Sequence, residues 1–170
     1  MSLMADMRLR SARSAEAGAL SEMAQRSKAH WGYDATFLQA CRLGLTFSED
    51  KVRQGRFVLA EQRPPTQTHG PGTRDGRNAR IVGFYELVGD PPEFELSNLW
   101  VEPDSIGTGI GRMLWTHAMN AARKLGGMTV MIEADPNALG FYHAMGAVRV
   151  GEAPSNSIPG RLLPLLRFVL

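Results

Sequence analysis

The spacing of apolar residues in the N-terminal third predicts one strand followed by two helices. Residues 7–12 alternate well enough to form a strand with one buried face. Residues 15–29 are rich in Ala, Glu, Met and Leu, which favours a helix. Gly32 interrupts this pattern, and Asp34 is well placed to cap a second helix over residues 35–43.

The rest of the chain alternates between predicted strands and two further helices. Apolar residues recur at helical spacing from Ile110 to Leu125, and Gly126-Gly127 ends that amphipathic helix. Asp135-Pro136 begins a shorter helix. The strands before and after the long helix should be parallel, because such a crossover is right-handed within one sheet. Strands are predicted at 56–61, 80–88, 94–101, 128–132, 147–150 and 165–170.

Length and composition indicate one globular domain over residues 1–170. The chain is 44% hydrophobic and 21% charged, which is ordinary for such a domain. Residues 62–79 are crowded with Pro, Gly, Thr, Arg and Asn, so we expect a mobile loop between two strands. Met1–Leu3, ahead of Met4, are expected to be a cloning remnant.

Charge and cysteine content narrow the function classes. The net charge is only +2, with 19 basic and 17 acidic residues mixed along the chain, so nucleic-acid binding is not predicted. Cys41 is the only cysteine, which excludes an intrachain disulfide and a cysteine-based zinc cluster. No apolar run approaches the roughly 20 residues that span a bilayer, and the N-terminus lacks the apolar region of a signal peptide. We therefore expect a cytoplasmic protein with no membrane partner and no metal.

Residues 106–112, Ile-Gly-Thr-Gly-Ile-Gly-Arg, carry the most informative pattern in the chain. They follow an apolar strand and begin the amphipathic helix. Glycines let the backbone N–H groups curl inward and let an anion approach without meeting a Cβ. The helix N-terminus adds free amides and its dipole, so the loop suits a phosphate or pyrophosphate. A plain tight turn is the structural alternative.

Three families of phosphate-binding loop compete for this segment. A P-loop needs Lys and then Ser or Thr after its last glycine, whereas Arg112-Met113 stands here. A dinucleotide fingerprint needs its third glycine where Arg112 or Leu114 stands, and it needs an acidic residue that only Glu133 offers. The third family fits better, because Gly109-Ile110-Gly111 resembles the pyrophosphate motif of the GNAT acetyltransferase superfamily.

A second segment carries the same resemblance independently. Residues 135–147, Asp-Pro-Asn-Ala-Leu-Gly-Phe-Tyr-His-Ala-Met-Gly-Ala, are similar to the superfamily's N-x-x-A-x-x-F-Y-x-x-x-G-F segment. The resemblance covers residues 81–150 well and the N-terminal third only by element order. Ile106 stands where the superfamily often has Arg or Gln, and this removes one phosphate contact. Ala147 replaces the usual Phe, which loosens local packing.

The resemblance implies a fold and an activity. The fold is α/β (α+β), with a central mixed, mostly antiparallel sheet of about six to seven strands flanked by about four helices. The activity is acetyl-CoA-dependent N-acetylation, in which a primary amine of a small molecule or peptide attacks the thioester directly. A non-catalytic acyl-CoA-binding module and a nucleotide-binding protein outside this superfamily are the alternatives. The resemblance leaves open whether the protein forms a homodimer.

The resemblance also implies which residues bind the cofactor and which transfer protons. Tyr142 matches the tyrosine that often donates a proton to the departing thiolate, with ring packing as its alternative role. Asn137 either bonds the cofactor arm or satisfies the helix start. The cofactor-binding residues implied are Leu99, Val101, Ile106, Gly107, Thr108, Gly109, Ile110, Gly111, Arg112 and Asn137.

A candidate general base lies on the strand before the glycine loop. Glu95 matches the base glutamate of the histone-acetylating branch, and strand alternation places it on one face with Ser97, Leu99 and Val101. A carboxylate in a cleft can have a raised pKa and accept the amine proton. A solvated strand-end carboxylate is the equal alternative. Glu102 and Glu133 are weaker candidates.

Acceptor recognition is predicted in the break between the first two helices. Trp31 and Tyr33 lie there beside Lys28 and His30, and in this fold that region commonly borders the acceptor cleft. A hydrophobic contact joining the two helices is the alternative. Arg161, in the loop before the last strand, is a candidate to hold a carboxylate.

Overall fold

A computed structural model describes residues 7–63 and 79–170. These residues form seven strands and five α-helices, with short 3-10 turns just before the first, fourth and fifth helices. The strands are β1 (Met7–Ser11), β2 (Arg56–Gln62), β3 (Arg80–Asp90), β4 (Glu93–Val101), β5 (Thr129–Glu133), β6 (Val148–Pro154) and β7 (Leu162–Val169). The helices are α1 (Ala17–Ala29), α2 (Ala35–Cys41), α3 (Glu49–Gln54), α4 (Ile110–Lys124) and α5 (Leu139–Ala144).

The strands form one mixed sheet in the order β1-β2-β3-β4-β5-β7-β6. Every neighbouring pair is antiparallel except β4 and β5, which are parallel. This confirms the mixed α/β architecture and the parallel pair that the crossover through α4 requires. Of the expected loop over residues 62–79, Gln62 belongs to β2 and residues 64–78 lie outside the described part of the chain.

Helix α3 was not predicted from the sequence, which indicated about four helices. Ser48 caps it by accepting a hydrogen bond from the backbone N–H of Lys51 over 3.1 Å. Glu49 and Asp50 occupy the first turn, where negative charge stabilises a helix, and Gly55 follows its last residue. These start and stop signals are readable in the sequence, but six residues are too few for helical periodicity to show.

Helices cover both faces of the sheet and form two hydrophobic clusters. On one face, α4 packs against β2, β3 and β4, and Leu114 and Ala118 are fully buried there. On the other face, α1, α2 and α3 bury a second cluster that includes Leu20 and Phe47. The sheet therefore forms the middle layer, and β4 lies between α1 on one side and α4 on the other.

Candidate functional site

A cleft of about 370 Å³ opens where β4 and β5 separate. The two strands pair only along Glu93–Glu95 and Thr129–Met131. Beyond that point, residues 96–101 of β4 no longer pair with β5 and line the cleft instead. Residues of both helical layers line the cleft, with Ser27 from α1 and Gly111 and Arg112 from α4.

The glycine loop forms one end of this cleft. Gly107 and Gly109 have φ angles of 83° and 95°, which side chains with a Cβ rarely adopt. Their left-handed turns lead directly into α4 at Ile110. The first bond closing α4 runs from the N–H of Met113 to the carbonyl of Gly109 over 3.0 Å, so the amides of residues 110–112 have no acceptor within the helix. These amides and the helix dipole suit an anionic group.

Five of the seven predicted loop residues line the cleft, namely Ile106, Gly107, Gly109, Gly111 and Arg112. The other two have structural roles. The Thr108 hydroxyl donates to the carbonyl of Ser105 over 2.6 Å, and Ile110 is buried in the core beneath α4. Any cofactor contact from these two residues would therefore come from the backbone.

The two sequence motifs meet at Gly111. A Cβ at this position would lie 3.3 Å from the ring of Phe141 in α5, a distance tighter than most real contacts. The glycine therefore favours the close approach of α4 to α5, because any larger residue would push against the Phe141 ring. This contact explains why both motifs are needed to shape one site, although 30 positions separate Gly111 from Phe141 in the sequence.

Tyr142 lies beside Phe141 and lines the cleft, although its side chain is buried. Its ring centroid is 5.1 Å from that of Phe141 and 5.8 Å from that of Trp115. Burial, with a smaller contribution from the negative charge of Asp135, raises the pKa of the Tyr142 hydroxyl. The hydroxyl is therefore protonated at neutral pH and can donate a proton.

A β-bulge in β4 places Glu95 on a different face of the sheet from the one predicted. Pairing with β3 runs from Glu86 opposite Asn98 to Leu87 opposite Leu96, so Ser97 is an extra residue. The bulge reverses the alternation of the strand. Leu96 therefore faces the core under α4. Beyond the bulge, Val101 also belongs to that core and Leu99 packs against it. Glu95 lies on the opposite face, so the prediction that it shares a face with Leu99 and Val101 is wrong.

Glu133 at the end of β5 is the glutamate that lines the cleft. Partial burial raises the pKa of its carboxyl, and the negative charge of Glu95 raises it further. Both glutamates are exposed residues, and the charge of Glu95 acts on Glu133 across the pair of strands β4 and β5. Glu102 is buried and accepts a hydrogen bond from Arg26 over 2.5 Å, which is a structural pairing. Glu133, a weaker candidate on sequence grounds, is thus the better-placed carboxylate.

Of the residues predicted to recognise an acceptor, only Trp31 lines the cleft. Tyr33 and Arg161 are not part of the cleft lining, but both contact Asp135, which does line the cleft. The Tyr33 hydroxyl donates to Asp135 over 3.0 Å, Arg161 donates to the Tyr33 oxygen over 2.9 Å, and Lys28 forms an ion pair with Asp135. Burial by itself would raise the pKa of the Asp135 carboxyl. The bonds that it accepts from Lys28, the Asn137 backbone and Tyr33 outweigh this effect, so the pKa of Asp135 is lowered.

Asn137 lines the cleft and also belongs to this polar network. Its side-chain amide donates to the Tyr33 oxygen and to Asp135, each over 3.0 Å. Asp135 was predicted only as a helix cap, a role that it also fills through the N–H of Asn137. Its further bonds are to Lys28 and Tyr33, which lie more than 100 positions away in the sequence. The residues around Asp135 therefore give no indication of these bonds.

Two negative observations concern the described residues only. Among residues 7–63 and 79–170, no three His, Cys, Asp or Glu side chains cluster in a way that would hold a metal ion. Within the same ranges, no helix is both long and apolar enough to cross a membrane.

Comparison with known proteins gives consistent findings. The family model of the acetyltransferase (GNAT) domain matches residues 73–156. Peptidyl-lysine N-acetyltransferase YjaB of Salmonella typhimurium is 35% identical over 88 residues, which are 52% of this chain and 56% of that protein. The chain thus spans about half the length of the curated relatives that it matches.

Two solved structures share the fold along nearly the whole chain. A GCN5-related N-acetyltransferase from Rhodopseudomonas palustris has a TM-score of 0.73 at 20% identity, with 98% of each chain covered. The PaiA N-acetyltransferase of Thermoplasma acidophilum, solved with coenzyme A, has a TM-score of 0.70 at 16% identity, with 96% of this chain and 99% of that chain covered. At these identities the likeness shows the fold alone.

Proposed function

We propose that this chain is a member of the GNAT superfamily and that it transfers the acetyl group of acetyl-CoA to the side-chain amine of a peptidyl lysine. Strands from both ends of the described chain join one sheet, which supports a single domain over residues 1–170. The acceptor class is proposed from the matched relatives, which are named as peptidyl-lysine N-acetyltransferases.

One observation carries the proposal: a single cleft between the parted strands β4 and β5 contains a helix start suited to an anion, a buried tyrosine and a carboxylate. Gly109 and Gly111 line it at one end, and Tyr142 and Glu133 also line it. An acetyl transfer from CoA to an amine needs all three elements, which are a phosphate site, a proton donor for sulfur and a proton acceptor for nitrogen.

The residues present fit acetyl-CoA. We assign its pyrophosphate to the free amides of residues 110–112 and to Arg112, whose guanidinium suits phosphate oxygens. The parted edge of β4 leaves backbone groups around Leu99 and Val101 for the amide-bearing pantetheine arm. Bound there, acetyl-CoA supplies a thioester as the acetyl donor.

The chain's own groups move the protons. Glu133, with Glu95 behind it, accepts the proton that the lysine ammonium must lose before its nitrogen can attack. Tyr142 Oη donates a proton to the sulfur that leaves. We propose direct transfer without an acyl-enzyme, because the only cysteine, Cys41, is buried in the cluster under α1 and α2, away from the cleft.

A non-catalytic acyl-CoA-binding module with the same fold is the alternative function. Release of free CoA thiol from acetyl-CoA, measured with a thiol-reactive dye against a panel of amines, separates the two. We expect acceptor-dependent thiol release with a lysine-bearing peptide. Binding of acetyl-CoA without thiol release for any amine in the panel would favour the binding module.

A further inference from the structure

Two tryptophans line the cleft, and they come from different elements. Trp31 lies in the link between α1 and α2 and is 37% exposed. Trp100 lies on β4, and its ring packs against the cluster under α1, α2 and α3. Both rings therefore stand on the α1 side of the sheet, opposite the α4 face to which Leu99 and Val101 point.

A buried polar chain fixes the Trp100 ring. Its Nε1 donates to Asn98 Oδ1 over 2.8 Å, and Asn98 Nδ2 donates to Glu86 over 2.6 Å. Glu86 is 2% exposed and lies 3.3 Å from Lys51 of α3. Asn98 is the residue that pairs with Glu86 just beyond the Ser97 bulge. The bulge and this chain together hold the indole at one orientation in the cleft wall.

The Glu133 carboxylate of the cleft complements these rings. Glu133 lines the same cleft, and its pKa is raised by burial and then by the nearby Glu95 charge. Indole faces attract cations and bury methylene groups, while carboxylates attract the ammonium itself. This combination matches a cation at the end of an apolar stem better than an amine on a polar, hydroxyl-rich ring.

We infer that Trp31 and Trp100 form a stem-binding wall: the acceptor's methylene stem runs along both indoles, and its terminal ammonium reaches Glu133. The inference rests on the proposed function and adds to it the residues that select the acceptor by stem length. A longer unbranched stem covers more of the two indoles, whereas shorter stems leave more of the indole surface uncovered.

The test compares one peptide that carries lysine, ornithine or 2,4-diaminobutyrate at the same position. Each methylene removed should lower kcat/KM of the wild-type protein about fourfold, so the shortest stem should be about fifteenfold poorer than lysine. Trp31→Ala should bring this ratio close to one by losing activity on lysine. Trp100→Phe keeps a ring but loses the Asn98 bond, and it should reduce the ratio in part. Leu43→Ala, at a site 87% exposed and outside the cleft, is the matched control and should keep the wild-type ratio.

The outcomes separate the stem-binding wall from the proposed function. A lysine preference that Trp31→Ala and Trp100→Phe reduce, and Leu43→Ala does not, supports the wall. Equal rates for the three stems in the wild type, or a ratio unchanged in both tryptophan variants, would overturn the wall and leave acetyl transfer intact. No acetylation of any of the three peptides by the wild type would contradict lysine acetylation itself, and the wall with it.

Discussion

Arg161 Nη2 donates a hydrogen bond over 2.9 Å to the hydroxyl oxygen of Tyr33, a residue 128 positions earlier in the chain. The Tyr33 hydroxyl in turn donates to Asp135, which also pairs with Lys28. Three segments are thereby tied to one carboxylate: the end of α1, the link to α2 and the loop before β7. Asp135 lines the cleft, so this network holds those segments together at the cleft wall.

Asp135→Asn should destabilise the protein, because it removes the charge that Lys28 pairs with in a site where both side chains are 10% exposed. Breaking a buried ion pair costs about 3–5 kcal/mol in free energy of unfolding. Since the network lowers the pKa of Asp135 in the folded state, the stabilisation is present above the unfolded pKa and is lost as pH falls through the folded one.

Urea denaturation of wild type and Asp135→Asn at pH 7 and at about pH 2–3 measures this difference. The gap in free energy of unfolding should shrink at the acidic pH. Asp50→Asn is the control, because its pair with Arg53 is exposed and should contribute less than about 1 kcal/mol. Equal effects of the two substitutions at pH 7 would show that the Asp135 network does not stabilise the fold.

Glu133→Gln should raise the melting temperature at neutral pH while it slows acetyl transfer. Burial and the Glu95 charge raise the pKa of Glu133 in the folded protein, so ionised Glu133 disfavours folding above that pKa. The stability that its protonated form contributes is present below the unfolded pKa and is lost as pH rises. The gain from Gln should therefore vanish near pH 4.

Thermal unfolding across pH 4–8, together with the transfer rate at pH 8, checks both parts. Glu93→Gln, at the start of β4 and outside the cleft lining, is the matched control. A melting temperature that Glu133→Gln lowers at neutral pH would show that its carboxylate is stabilising. An unchanged transfer rate would remove Glu133 from the proposed chemistry.

Acetyl-CoA or CoA should raise the melting temperature of the wild type, because a ligand that binds only the folded state stabilises it by about 2.7 kcal/mol at 100 times its Kd. Gly109→Glu and Gly111→Glu should abolish this increase by placing a carboxylate at the pyrophosphate position. Both variants should also melt earlier without ligand, because Gly109 has a φ of 95° and a Cβ at Gly111 would crowd Phe141.

The quantity to compare is therefore the ligand-induced increase, measured against each variant's own ligand-free melting temperature. Gly18→Glu adds the same charge in α1, where a Cβ meets nothing within 4 Å, and should keep the full increase. A normal increase in both Gly109→Glu and Gly111→Glu would place the cofactor elsewhere.

Tyr142→Phe should lower the transfer rate about 10²–10⁴-fold, the usual effect of losing a general acid. The ring would keep its packing against Trp115 and Phe141, so CoA affinity and stability should change little. Steady-state kinetics should show the loss in kcat as well as in kcat/KM. Wild-type turnover by the variant would leave Tyr142 as a packing residue.

The features predicted from sequence were those encoded within short contiguous segments. The glycines that begin α4, the Asp34 cap of α2 and the parallel pair around α4 all rest on local spacing. Tyr142 was nominated from the motif after β5, and the structure places its side chain at the cleft, although its role as an acid is still a prediction.

The features that were missed depend on pairing between distant segments. The Ser97 bulge exists only in the register of β4 against β3, so alternation within β4 alone gave Glu95 the wrong face. Tyr33 and Arg161 were nominated separately, but their shared partner, Asp135, becomes apparent only when the loop before β7 folds back. No pattern in the sequence predicts site features that depend on contacts between distant segments.

Mass spectrometry of a lysine-bearing peptide after incubation with acetyl-CoA and the protein tests the central claim most directly. We expect one acetyl group on the lysine side chain in the presence of the wild-type protein, far less with Tyr142→Phe, and none when acetyl-CoA is left out. A peptide whose lysine carries no acetyl group, under conditions in which acetyl-CoA demonstrably stabilises the wild-type protein, would contradict the claim that this protein acetylates lysine.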